Sequence, residues 1–166
     1  MSFHKCFYCE QELGETEGQV DHYVEVAEKP ERAFEWNNLY LSCPLCNGKK
    51  SYNIKIPVSD CLDPCDISEN PSAHLSFDDE HIIQRQNSVK GAKTIQKYKL
   101  NRRQLRYLRL KQLQRFERFL RKLLERKNRE GRKEFTLLEK EAILRFKEPH
   151  HAFSLMFNVY LSGIEF

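Results

Sequence analysis

Two short cysteine pairs constrain this chain more than any other feature: Cys6-Phe7-Tyr8-Cys9 and Cys43-Pro44-Leu45-Cys46. Two residues between cysteines let both thiolates of a tight turn face one ion about 2.3 Å away, and two such turns complete a tetrahedron. Two disulfides or a redox pair would use the same residues. Against disulfides, Met1 to Glu10 is polar and lacks the charged-then-apolar pattern of a secretory signal. Against a redox site, the motif occurs as a matched pair. Cys6, Cys9, Cys43 and Cys46 therefore read as a closed structural zinc site, holding together a segment with too little core to fold alone. Cys61 and Cys65 would need two more ligands, such as His74 or His81, and are expected to be free thiols in a turn.

The charge is divided along the chain. Residues 1–80 carry six Lys or Arg against sixteen Asp or Glu, while residues 84–133 carry nineteen against three. An acidic half joined to a basic one suggests that the basic part holds a polyanion, and nucleic acid is the expected partner. No stretch approaches the roughly 20 apolar residues of a membrane span. The reading is a chain of the cytoplasm, without a membrane partner.

Three segments are expected: a zinc-bound core over 1–56, an irregular connecting arm over 57–88 with Pro57, Pro64 and Pro71, and a helical region over 89–166. In the last, Leu105, Leu108, Leu113, Phe116, Leu120 and Leu123 recur at helical spacing and form a core stripe. Arg102, Arg103, Arg106 and Arg109 lie among them and are candidate nucleic-acid contacts. Asn101 is a plausible N-cap and Gly131 a plausible stop. Thr136 with Glu139 makes a capping box, Pro149 breaks the last stretch into two short helices, and Phe153 to Leu161 should be buried against the basic helix or a partner chain. The fold class is α+β, a small zinc-stapled core followed by a mostly α-helical basic region.

Thirty-three residues separate the cysteine pairs, more than a compact zinc ribbon needs. The insert holds Val20-Asp21-His22-Tyr23 and Trp36-Asn37-Asn38-Leu39, and Asn47-Gly48-Lys49-Lys50 follows directly on the second pair. Singly these are ordinary residues. Together they meet the requirements of phosphodiester hydrolysis: a histidine to take a proton from water, and a carboxylate and an amide oxygen to hold one hard divalent ion. His22, Asp21 and Asn47 supply that set. Neighbours on a strand point to opposite faces, so Asp21 and His22 share a site only if the strand bends or ends there. Asn38 could hold such a loop by side-chain hydrogen bonds.

In this order the motifs resemble the HNH (ββα-metal) nucleases. The resemblance implies that His22 is the general base, that Asp21 and Asn47 hold the catalytic metal, and that Asn38 pins the loop. It implies that Lys50, with Lys49 beside it, contacts the nucleic acid, and that the cysteines bind structural zinc. Asn47 stands where the family name has His, which favours Mg or Mn over softer ions at the hydrolytic site. Leu62-Asp63-Pro64-Cys65, His74-Leu75-Ser76-Phe77 and Gly91-Ala92-Lys93-Thr94 extend the likeness to the HNH proteins of retron-associated and Septu-type anti-phage systems. That likeness implies an endonuclease effector acting on DNA ahead of RNA, with a separate ATPase partner. The competing reading is a non-catalytic zinc module that binds nucleic acid or a partner protein.

Overall fold

A computed structural model describes residues 2–52 and 55–164. Met1 and Phe166, the outer limits of the expected segments, lie outside the described residues. Strand β1 (Gln19–His22) pairs antiparallel with β2 (Leu39–Ser42) in the register Gln19↔Ser42, Asp21↔Tyr40 and His22↔Leu39. Helix α1 (Pro44–Tyr52) follows directly and packs back on β1. This ββα unit is closed by the first cysteine turn, whose Phe7 N–H donates to Leu41 O at 3.0 Å.

The arm expected to be irregular is partly ordered. A one-turn helix, α2 (Pro71–His74), leads into a hairpin of β3 (Leu75–Asp78) and β4 (His81–Gln84). The hairpin escapes sequence reading because each strand is four residues long and turns on Asp79, a non-glycine residue at φ 49°. Helix α3 (Val89–Lys97) begins at Ser88, whose hydroxyl accepts from Gly91 N–H. Gly91 permits the close packing of α3: a Cβ there would stand 2.3 Å from His74 O.

Helix α4 (Arg103–Arg129) is the long basic element, about 40 Å at 1.5 Å per residue. Its expected core stripe is inward: Leu105, Leu113 and Phe116 are buried, and Leu108, Leu120 and Leu123 pack on the core. Asn101 is not its cap. The Asn101 side chain instead bridges the N–H and carbonyl of Ile82 on β4, and Arg102 takes the N-cap position. Gly131 follows the helix end at φ 65°, as a stop requires.

Beyond it, α5 (Leu137–Leu144) opens with the Thr136–Glu139 capping box, and α6 (Ser154–Tyr160) forms after the break at Pro149. The apolar end does dock on the basic helix. Phe157 lies 5.4 Å from Phe116, and Phe146 fits between them, edge-on to Phe116. The start of α6 also grips the first cysteine turn. Phe153 N–H donates to Glu10 O, and Lys5 Nζ donates to Ser154 Oγ at 3.0 Å.

Arg132 holds the Glu139 carboxylate by two hydrogen bonds of 2.8 and 2.9 Å, lowering the Glu139 pKa to about 2. A carboxyl depressed in the folded state stabilises above its unfolded pKa and loses that stabilisation as pH falls toward the folded value. The advantage in urea midpoint of wild type over Glu139→Gln should therefore be greatest above about pH 4.5 and should vanish as the pH approaches about 2. Equal differences across that window would refute the pairing.

Candidate active site and zinc centre

The second cysteine pair sits where β2 turns into α1, so a strand end and a helix start fix Cys43 and Cys46. The sulfurs of Cys6, Cys9, Cys43 and Cys46 lie within 4.8 Å of one another, all buried. Zinc–sulfur arms of about 2.3 Å place sulfurs about 3.8 Å apart, and Cys9 and Cys43 are 4.0 Å apart. The four sulfurs fit a tetrahedral zinc with no position left open for chemistry. Hydrogen bonds from Cys46, Cys6 and Cys9, together with the Cys46 backbone N–H, pull the Cys43 thiol below its ordinary pKa, while the shared contacts push Cys9 and Cys46 above theirs. Among the described residues no second such cluster occurs: Cys61 is buried with its thiol pushed up to about 11 by burial, and Cys65 is exposed in a turn.

Arg102 departs from its expected role. Its guanidinium donates to Cys46 Sγ at 3.4 Å through both terminal nitrogens, and one of these reaches Cys43 Sγ at 3.6 Å. Burial opposes that charge, but Cys46 and Cys9 outweigh it and raise the Arg102 pKa. A zinc held by four thiolates carries two net negative charges, and Arg102 compensates part of that.

Two more of the expected nucleic-acid contacts are engaged within the protein, Arg109 buried and Arg106 partly exposed. Arg109 is 2% exposed, donates to Glu80 O and Leu100 O, and is drawn down to about 10 by burial. Arg106 is tied to Glu80 at 3.0 Å. Of the four arginines, Arg103 alone is exposed. The face of α4 opposite the core carries exposed Lys111, Arg115, Arg118 and Lys122, and among the described residues no ion pair engages them.

The candidate catalytic residues divide between the two faces of β1. Asp21 faces inward at 6% exposure, toward α1. Its Oδ2 accepts from Tyr8 OH, and its Oδ1 accepts from Lys50 Nζ at 3.0 Å. Lys50 is 1% exposed and also donates to His22 O, so it is not a surface contact for a phosphate. Asn47, one turn earlier on α1, donates to Gln19 Oε1 at 3.2 Å, two residues before Asp21 on the same strand face. Lys49, beside it, is half-buried.

His22 is the last residue of β1, and its Nε2 lies 2.9 Å from Ala33 O. Asn38 is fully buried and binds the loop at both ends: Oδ1 accepts from Val24 N–H at 2.7 Å, and Nδ2 donates to Val24 O and Arg32 O. It thereby fixes the loop that carries the Ala33 carbonyl.

Tyr8 and Gln19 have no counterpart in the sequence reading. Strand alternation could have found Gln19, two residues from Asp21. Nothing local could have found Tyr8, because its reach to Asp21 depends on how the first cysteine turn packs on β1 and β2.

Comparison with known proteins fits this geometry. Residues 6–53 match the family model HNH, described as HNH endonuclease. The chain is 31% identical to the Septu protein PtuB of Bacillus mycoides (strain KBAB4), over 61% of this chain and 44% of that protein. It is also 31% identical to the Septu protein PtuB of Bacillus thuringiensis, over 61% of this chain and 38% of that one. The chain thus spans under half the length of these curated relatives. No solved structure matches it.

Cys43→Ser should abolish stoichiometric zinc and collapse the folded state. Arg102→Met should keep zinc but release it to a chelator faster, as followed by a colorimetric zinc dye. Equal release rates would remove Arg102 from the zinc site.

Proposed function

We propose that this chain is an endonuclease that hydrolyses phosphodiester bonds of nucleic acid, DNA ahead of RNA, with His22 as general base. The observation that carries it is the contact between His22 Nε2 and Ala33 O. A carbonyl can only accept, so Nε2 bears the ring proton and Nδ1 keeps its lone pair. Nδ1 is the atom left to take a proton from water as that water attacks phosphorus. Asn38 supports the step indirectly by holding the loop of Ala33, so the ring does not rotate as it gains charge.

A Mg or Mn ion on Asp21 and Asn47 belongs to the same family reading, but the geometry does not suit it. Both Asp21 oxygens already receive donors, one of them a buried ammonium. The filled carboxylate is also what a non-catalytic zinc module would show. His22→Ala separates the two readings. In a plasmid assay with added Mn, the variant should lose about 10²- to 10⁴-fold in cutting rate while keeping its zinc. Equal rates would establish the non-catalytic reading.

Substrate grip is assigned to the outward face of α4. Replacing Lys111, Arg115, Arg118 and Lys122 together by Ala should weaken binding of any sequence and lower the salt slope by about one for each phosphate no longer neutralised. An unchanged slope would move the interface elsewhere. The likeness to the Septu proteins supports a place as effector nuclease of a bacterial anti-phage system, working in the cytoplasm beside an ATPase partner.

A further inference from the structure

We infer that Phe34 and Trp36 form a base-stacking platform beside His22, and that the substrate is single-stranded where it is cut. This rests on the reading of His22 as general base in the hydrolysis of nucleic acid.

Phe34 is 98% exposed and Trp36 is 88% exposed, while among the described residues no other Phe or Tyr is more than 54% exposed. A single exposed ring is ordinary. These two share one short loop, and the loop is tied down at both ends. Ala33 O accepts from His22 Nε2 at 2.9 Å, and Asn38 O accepts from Tyr23 N–H at 2.8 Å. The Asn38 amide also clasps both backbone groups of Val24. Both anchors therefore lie on residues 22–24, and the four residues between them stand next to His22. At about 3.8 Å per Cα step, Phe34 is one step from the first anchor and Trp36 two from the second. Within the loop, Glu35 N–H donates to Arg32 O and Asn38 N–H to Glu35 O. The rings are thus held in water by an ordered backbone.

The chemistry of this loop selects bases over phosphates. Residues 25–36 carry four Glu against Lys29 and Arg32, and Arg32 is paired with Glu35 at 2.8 Å. A phosphate gains nothing from such a loop, so grip on the backbone falls to the cations of α4. An uncharged ring face takes the face of any base by stacking, whatever its identity. In a duplex both faces of a base are covered by its neighbours, and only base edges show in the grooves. An unpaired base has a face to offer. A phosphate placed at His22 brings the flanking bases to this loop, which suits a strand whose bases are open there.

The test exploits Trp36 as the sole tryptophan of the chain, so that intrinsic emission reports this loop alone. The probes are a short single strand of DNA or of RNA, the DNA duplex, and an abasic strand of the same length. Each is added to the full zinc-loaded chain without Mg or Mn. The single strand should quench the emission, and the duplex and the abasic strand should not. By anisotropy of a labelled strand, replacing Phe34 and Trp36 together by Ser should weaken single-strand binding on the order of tenfold or more. Duplex binding should stay where it was. Both side chains are exposed, so the zinc content and unfolding temperature of the variant should match wild type.

Equal quenching by the duplex overturns the single-strand assignment, and equal quenching by the abasic strand overturns stacking. Single-strand binding with no quenching and no loss in the variant overturns the platform, as rings that dock a partner protein would give, and leaves His22 to its own test. Binding of neither DNA nor RNA overturns the platform and the nucleic-acid reading together.

Discussion

Four sulfurs gathered beneath one arginine hold this molecule together. The ββα unit has two four-residue strands and one short helix, too little apolar surface to offset the cost of ordering its loops. The cysteine cluster substitutes for that missing core, joining the first turn of the chain to the start of α1. Arg102, 56 residues beyond Cys46, then ties the cluster to the N-cap of α4. The cysteine cluster is thus the junction at which the ββα unit and the helical region meet, and Tyr8 extends it to Asp21.

Much of this is legible in the sequence, and the reasons differ by element. Spacing reveals the cysteine set, because two residues between ligands is a local geometric demand. Periodicity reveals the core stripe of α4, and the Thr136–Glu139 box marks the start of α5. The hairpin at Leu75–Gln84 stays hidden because four-residue strands carry too few alternations to register. Electrostatics misleads most. Arginines at 102, 106 and 109 look like surface charge, but sulfurs, Glu80 and backbone carbonyls claim their guanidinium groups. Which charge faces solvent is decided by tertiary packing, and sequence reports the sign alone.

The same distinction governs the candidate active site. His22, Asn38 and the Ala33 carbonyl act on one another within a single loop, so their arrangement follows from short-range order. Asp21 depends on residues from both sides of the insert, Tyr8 before it and Lys50 after it. Its environment cannot be inferred until the tertiary fold has positioned both. An aspartate flanked by a phenol and an ammonium is electrically quiet, whereas its neighbour histidine is held ready by one neutral carbonyl.

The grip of α6 on the first cysteine turn has a consequence for the order of synthesis. Lys5 is bonded to Ser154 and to the carbonyl of His151, and Glu10 to Leu155 N–H, so the first cysteine turn is secured by residues 145 or more positions further along the chain. Both cysteine pairs are synthesised before α6, so the clamp on that turn waits for more than 100 residues beyond Cys46. The ββα unit gains these last contacts only once α6 has been made.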